Sequence, residues 1–455
     1  MNTLHNSRID VNRKRWLGAV EGYYGRPLDP RERIDLVRWL GAHGFNTFAH
    51  APKDDPLHRR NWRDPYPAER LAEFAELVAE GERAGVAVAM VVSPGLDWTP
   101  GTDEAPLVEK LRSLAATGAR ALGVAFDDVP PGGAELGSAH AAAVAAAVDG
   151  LGDGFRWVTC PTDYATDVAT PYLRSFFAGL PEGVDVMWTG PSIVSPTVDA
   201  DCAARLGQEL GRPLLFAENY PVNDGPMAGV LHLGPYRGRD PRLPEVTTGV
   251  FFNFMSFPLA SRVGLACGAR FWQDPTGDPE AVWRECLREF PGIERLARAS
   301  RAWIGDPDPD AEIAGWVDQV IAGGDPQPLI EFLDVDLVKA IAEQPACESL
   351  RAELDPALAE EVAAWVDQWE AEAVAMRAAI EVIRTEPARR ADYAFATAET
   401  WARARHARQQ LFGVRWAYYP VTEWRDGSAR AVPAALIEGE NLTDRLCRFA
   451  LEGKR

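Results

Sequence analysis

The sequence predicts an α/β fold: a (β/α)8 barrel followed by an α-helical C-terminal domain. Three observations carry that prediction. Short apolar runs alternate with amphipathic stretches from about residue 15 to about residue 300, and such alternation implies a parallel sheet. About eight strand–helix units over roughly 280 residues fit a closed barrel better than an open sheet. Polar and aromatic residues gather just past the C-terminal ends of the apolar runs, where a barrel carries its site.

The elements follow in order. Leu17–Val20 reads as the first strand and ends in Glu21-Gly22-Tyr23-Tyr24-Gly25-Arg26-Pro27, with a helical period over Pro30–Ala42. Thr47–Ala49 leads into Ala51-Pro52-Lys53-Asp54-Asp55 and a helix over Ala68–Ala84. Val86–Val92 leads into Ser93-Pro94-Gly95-Leu96-Asp97 and a helix over Glu104–Thr117. Ala121–Phe126 ends in Asp127-Asp128, and a loop, Val129-Pro130-Pro131-Gly132-Gly133, separates that pair from a helix over Ala139–Val148. Phe155–Thr159 precedes Cys160-Pro161-Thr162-Asp163-Tyr164, and Val184–Trp188 precedes Thr189-Gly190-Pro191. Leu214–Ala217 precedes Glu218-Asn219-Tyr220-Pro221, and Val250–Phe252 precedes Asn253.

Beyond residue 300 the texture becomes Ala- and Glu-rich, with helices predicted over Pro309–Ala322, Pro356–Arg384 and Ala388–Leu411. Leu358, Val362, Trp365, Trp369, Val374 and Ile380 recur at helical spacing and read as bundle core, not as a ligand platform. The last segment mixes Trp416-Ala417-Tyr418-Tyr419-Pro420 with an amphipathic helix near Leu442–Leu451. The expected division is a barrel over 15–299 and a helical domain over 300–455, with no low-complexity linker between them.

Composition excludes several classes of function. A net charge of −20 argues against a nucleic-acid partner, which needs a basic face. It also makes a polyanionic substrate less natural. No segment approaches the length of an apolar membrane span. Six cysteines are scattered without metal-ligand spacing and read as buried thiols of a cytoplasmic protein. Met1–Arg8 lacks the apolar core of a signal peptide, in line with that expectation. The 15 tryptophans offer platforms on which sugars stack, though most belong to the core.

Asp127 and Asp128 are the most informative residues. Two adjacent carboxylates at the end of a buried strand tend to split in pKa, one becoming a proton donor and the other a fixed negative charge. With Trp and Tyr nearby, the pair suggests glycoside hydrolysis. The usual scheme places two carboxylates on opposite faces of the sugar, which neighbours in sequence do poorly. They suit the substrate-assisted exception, in which the 2-acetamido oxygen is the nucleophile. One carboxylate then protonates the leaving oxygen and the other holds the amide N–H. Tyr164, past the fifth strand, is placed to hold the acetamido oxygen.

Six ordered motifs resemble glycoside hydrolase family 84, over about residues 15–275. They are Gly18-Ala19-Val20-Glu21-Gly22-Tyr23-Tyr24-Gly25-Arg26-Pro27, Ala51-Pro52-Lys53-Asp54-Asp55 with Trp62-Arg63-Asp64-Pro65-Tyr66, Ser93-Pro94-Gly95-Leu96-Asp97, Phe126-Asp127-Asp128, Cys160-Pro161-Thr162-Asp163-Tyr164 and Trp188-Thr189-Gly190-Pro191. That family contains O-GlcNAcases and bacterial β-N-acetylglucosaminidases. The resemblance implies a retaining exo-β-N-acetylglucosaminidase working through an oxazoline, without a cofactor or a metal. Its partner would be a β-GlcNAc-bearing glycoconjugate or glycopeptide. Asp127 would orient the acetamido group, Asp128 would be the general acid and later base, and Tyr164 would bond the acetamido oxygen. Gly22, Lys53, Asn219, Asp224 and Asn253 would bind the sugar. One departure stands out: Ala217 occupies a position where family members usually carry tryptophan, and either Phe216, Phe252 or Tyr220 fills that wall of the pocket or the pocket is wider there.

Three rivals have distinct signatures. A hexosaminidase acting on chitin or cell-wall fragments would prefer natural oligomers. A catalytically silent GlcNAc-binding protein would not need Asp127, Asp128 and Tyr164 together. A metal-dependent hydrolase would use His50, Asp54, Asp55 and His58, but no His-rich constellation supports it.

Overall fold

Eight parallel strands hydrogen-bond in sequence order and close on themselves, β1 pairing with both β2 and β8. The computed structural model describes residues 15–152, 154–301, 309–341, 348–385, 390–406, 409–413, 416–425, 428–438 and 440–453. The strands are β1 Trp16–Glu21, β2 Thr47–His50, β3 Ala87–Val92, β4 Ala121–Ala125, β5 Arg156–Cys160, β6 Val184–Trp188, β7 Leu215–Glu218 and β8 Gly249–Asn253. The helices after them are α1 Pro30–Ala42, α2 Ala68–Ala84, α3 Glu104–Ala115, α4 Ala134–Leu151, α5 Pro171–Gly179, α6 Ala200–Leu210, α7 Leu243–Val246 and α8 Pro258–Gln273. The predicted (β/α)8 barrel is therefore the fold, with strand ends displaced by one residue or so.

The two-residue period of the strands sorts their side chains into two cores. Ala19, Phe48, Met90, Leu122, Val186, Phe216 and Phe252 face outward and pack with the helices. Trp16, Val20, Ala49, Ala89, Val91, Ala121, Val158, Leu215 and Phe251 face inward and fill the barrel. Gly18 is required there: a Cβ would lie 2.4 Å from the Phe251 ring. At the N-terminal end of the barrel, Trp16 Nε1 donates to Asp185 Oδ2 at 2.5 Å and the Arg156 guanidinium lies 3.4 Å from the centre of the Trp16 ring. That end is plugged, so a ligand can enter only from the C-terminal end. Local signals start the helices: α1 has Pro30 at its first position and a capping box between Asp29 and Glu32.

The C-terminal region departs from the sequence reading in two places. The helix predicted over Pro356–Arg384 is broken at Val362 into Pro356–Glu361 and Ala363–Arg384. At the break the Glu361 carboxylate accepts from the backbone N–H groups of Leu259 (3.1 Å) and Ala260 (2.8 Å), capping α8 of the barrel. The chain then forms an antiparallel hairpin, β9 Trp416–Arg425 and β10 Ser428–Glu438, in a domain expected to be helical. Its signal was in the sequence, where aromatic and β-branched residues flank Asp426-Gly427. The aromatic stripe is core as predicted: Trp369 stacks on Phe412 at 5.2 Å and is fully buried. Helices over Ala311–Ile321 and Leu442–Glu452 match the other predictions, whereas the one predicted over Ala388–Leu411 spans Arg390–His406, and Gln410 instead bridges to Val230. Ala388 and Cys347 lie outside the described residues. Among the described residues no helix is long and apolar enough to cross a membrane.

Candidate active site

The eight predicted site residues converge on one cavity. Gly22, Lys53, Asp127, Asp128, Tyr164, Asn219, Asp224 and Asn253 all line a pocket of about 300 Å³ in the barrel mouth. They come from six of the eight strand ends, so barrel closure alone brings them together.

The two aspartates are held very differently. Asp127 is largely buried and forms an ion pair with the ammonium of Lys53, a residue only 9% exposed. Burial works to raise the Asp127 pKa, but Lys53 and, more weakly, Arg59 outweigh it, and the carboxyl sits below its ordinary value. Lys53 uses only Oδ2; Oδ1 is buried with no hydrogen-bond partner among the described residues. An ionised oxygen in that state is an acceptor in want of a donor. Lys53 is thus no surface lysine, and its ammonium is already engaged by a carboxylate.

Asp128 is exposed at the mouth and adopts φ 53°, a left-handed conformation uncommon for a residue with a side chain. Its Oδ1 accepts from the Tyr164 hydroxyl at 2.7 Å and its Oδ2 from the Tyr24 hydroxyl at 2.9 Å. Burial and the Asp128 charge push the Tyr164 phenol well above its ordinary pKa, so it stays a proton donor. Tyr24 is raised for the same two reasons.

Opposite the aspartates, amides set one another's orientation. Asn253 Nδ2 donates to Asn219 Oδ1 at 3.1 Å, Asn219 Nδ2 donates to the Ile193 carbonyl at 2.7 Å, and Gly22 N donates to Asn253 Oδ1 at 3.3 Å. Asp224 Oδ2 accepts from the Tyr24 backbone N–H at 2.7 Å. Burial raises the Asp224 pKa, and the negative charge of Asp128 adds to it.

Other acidic residues at the strand ends are already committed. Glu21 is fully buried, accepts from Arg33 Nε and Nη2 at 2.8 Å each, and is lowered to about 2 as Arg33 and His50 outweigh the effect of burial. Glu218 accepts from Arg239 at 2.6 and 2.7 Å and from the Tyr236 hydroxyl at 2.7 Å. Asp54 accepts from Gly25 N, Asp55 from Leu57 N and the Tyr66 hydroxyl, and the His58 ring faces the Val91 carbonyl. Among the described residues no group of three His, Cys, Asp or Glu side chains is arranged to hold a metal ion.

The expected replacement for the missing tryptophan is corrected by the structure. Ala217 lines the cavity, but Phe216, Phe252 and Tyr220 do not. Strand alternation turns Phe216 outward against Trp188 and Trp272, and Phe252 outward against Tyr236. Tyr220 donates its hydroxyl to the Gly234 carbonyl. Met187, Ile193 and Phe251 are among the apolar side chains that do line the cavity.

Two residues escaped the sequence reading. In Tyr23-Tyr24, Tyr23 is buried and donates to the Arg26 carbonyl, while Tyr24 reaches Asp128. Arg59 lies beneath both aspartates. Proximity to the second strand end is the one signal that could have found it.

Comparison with known proteins agrees with this geometry. A family model described as beta-N-acetylglucosaminidase matches residues 17–304. Protein O-GlcNAcase of Rattus norvegicus and of Mus musculus are each 31% identical over 252 residues, covering 52% of this chain and 27% of the relative. The chain thus spans about a quarter of the length of these curated relatives. Among solved structures, a mutant O-GlcNAc hydrolase of Thermobaculum terrenum superimposes with a TM-score of 0.76 at 25% identity, over 87% of this chain and 91% of that one. CpGH84B shares the fold with a TM-score of 0.73 at 24% identity, over 87% and 74%.

Proposed function

Because the chain belongs to the beta-N-acetylglucosaminidase family, we propose that it is a retaining exo-β-N-acetylglucosaminidase. It removes terminal β-linked GlcNAc, as an O-GlcNAcase does, with the substrate's own acetamide as nucleophile. One observation carries the reading: Asp127 is kept ionised by Lys53 and presents a buried, unpartnered Oδ1 in the same cavity as Asp128. A carboxylate oxygen in that state fits an amide N–H.

The steps follow. Asp128 protonates the glycosidic oxygen while the acetamide carbonyl oxygen attacks C1, and the C1–O bond to the leaving group breaks. Asp127 accepts the amide N–H and offsets the charge of the oxazolinium. Tyr164, a donor throughout, steadies the attacking acetamido oxygen. Asp128, now ionised, takes a proton from water as that water adds to C1, and the ring opens to the β-anomer. Asn219, Asp224, Asn253 and the Gly22 backbone hold the sugar. Residues 15–299 carry this chemistry and residues 300–455 support it. The described free thiols, among them Cys160 and Cys267, accord with a cytoplasmic setting.

A series of 4-nitrophenyl N-fluoroacetyl-β-glucosaminides tests the mechanism. Each added fluorine should lower kcat/KM, and proton NMR should detect the β-anomer first. A flat fluorine dependence or a glycosyl-enzyme adduct would overturn it. O-GlcNAc peptides compared with chitin and muropeptide fragments identify the natural class; preference for the latter would favour the hexosaminidase alternative. No turnover of any of these would leave a silent GlcNAc-binding protein.

A further inference from the structure

We propose that Arg59 is a positioning residue for this reaction: its guanidinium pins the backbone turn that aims Asp128, and its charge is part of what readies Asp127. The inference rests on the proposed glycosidase reading and extends it to a residue that touches no substrate.

The loop that carries Arg59 is itself fixed. Ser93 N donates to the His58 carbonyl at 2.9 Å, and the His58 ring bonds the Val91 carbonyl at 2.9 Å, so the loop is sewn to β3. From there Arg59 Nη2 donates to two consecutive carbonyls, Asp127 O at 3.3 Å and Asp128 O at 3.0 Å, and Nη1 approaches Ser93 Oγ at 3.4 Å. In an extended strand consecutive carbonyls point to opposite sides. Convergence of two on one nitrogen requires the chain to turn between them, and it turns at Asp128, with φ 53°. A left-handed residue with a side chain persists only where its surroundings hold it. The guanidinium is such a hold, and the carboxylate it aims lies between Tyr24 and Tyr164.

The electrostatics point the same way. Arg59 is 6% exposed, and among the described residues no carboxylate forms an ion pair with it. A buried cation without a counterion is costly unless its field is used. The groups acting on Asp127 are Lys53 from the second strand end and Arg59 beneath it, both favouring the ionised form. Asp128 beside it, Tyr24 from the first strand end, Cys160 at the end of β5 and Tyr164 just past it also act on this carboxylate or feel its charge.

The test uses Arg59→Met and Arg59→Lys in the full chain. Arg59→Met should lower kcat on 4-nitrophenyl β-GlcNAc by about 10²-fold, the scale of a misplaced catalytic group, with KM little changed. The acidic limb of its pH profile should move up. Arg59→Lys keeps the charge but cannot reach both carbonyls, so its acidic limb should stay near wild type while kcat remains well below it. Carbon NMR titration of the Asp127 carboxyl, which needs no turnover, should show the same upward shift in Arg59→Met and little in Arg59→Lys. Wild-type kcat in a folded Arg59→Met, or in Arg59→Lys if the methionine variant does not fold, would overturn the positioning role. An unmoved Asp127 titration in Arg59→Met would overturn the electrostatic one. If the wild-type chain itself fails to turn over the substrate, the glycosidase reading has failed, and the titration with a crystal structure of Arg59→Lys still decides whether Arg59 sets the turn.

Discussion

Replacing Lys53 by methionine keeps most of the side-chain volume and removes the one ammonium paired with Asp127. Both partners are shielded from water, Lys53 with 6% and Asp127 with 16% of the side chain exposed. Breaking a buried pair from one side leaves an uncompensated charge, at a cost of about 3–5 kcal/mol. Asp127 can escape part of that by taking up a proton. Its pKa in the folded wild type is depressed, so its ionisation contributes stability above the unfolded carboxylate pKa, and that contribution is lost as pH falls through the folded value. In Lys53→Met the largest opposing charge is gone and Arg59 opposes burial only weakly, so the folded pKa rises. Stability should then fall with rising pH across the weakly acidic range, the reverse of the wild-type slope. Activity should drop more than 100-fold at neutral pH, because a protonated Asp127 no longer accepts an amide N–H with a full charge. Denaturant melts of Lys53→Met, Asp127→Asn and the double variant at several pH values measure the coupling, expected at about 3 kcal/mol. A coupling below about 0.5 kcal/mol, the level of an exposed pair, would refute the claim that Lys53 sets the charge of Asp127.

Asp128→Asn should impair substrates with poor leaving groups far more than activated phenols, since protonation matters less for the latter; a Brønsted plot across substituted phenyl β-GlcNAc substrates measures it, and equal slopes in variant and wild type would remove Asp128 from the acid role. Tyr164→Phe should cost about 1–3 kcal/mol of transition-state stabilisation, the scale of a hydrogen bond to a charged group. Tyr24→Phe should cost less, because Tyr24 is 43% exposed and water can replace its hydroxyl; kcat/KM for both single variants checks the order.

The barrel was legible because parallel strands buried on both faces read as apolar runs, and here the runs fell within a residue or so of the strands. The candidate site was legible because a barrel brings strand ends together, so proximity in space followed from position in sequence. What escaped lies where the chain leaves the strand. Nothing in the spacing of Tyr23 and Tyr24 tells which turns inward once the two-residue period ends. Arg59 owes its role to the turn at Asp128, sixty-odd residues downstream, which no local pattern announces. The wall beside Ala217 was misjudged for the opposite reason: alternation still holds there, and it turns Phe216 and Phe252 away. The hairpin over 416–438 had its own local signal at Asp426-Gly427, outweighed by the helical patterns on either side of it.

A boundary near residue 300 describes composition better than function. The loop after β7 carries Asp224 and Met227, both of which line the cavity. Asn223 Nδ2 closes this loop on the Val230 carbonyl at 2.8 Å. Between them, the Gly229 carbonyl accepts from Trp365 Nε1 at 3.2 Å and from Gln410 N at 2.8 Å. Both donors belong to the C-terminal region. One edge of the pocket is therefore held by residues that composition assigns to another domain. Trp365 also packs edge-on against Phe257 at 5.0 Å, one residue before α8. The same helix pair sends Glu361 to cap α8. The C-terminal region thus grips the barrel at two segments, the loop after β7 that bears Asp224 and the start of α8, a few residues past Asn253. A barrel cut at residue 300 would keep every proposed catalytic side chain and lose the contacts that fix one side of the sugar site.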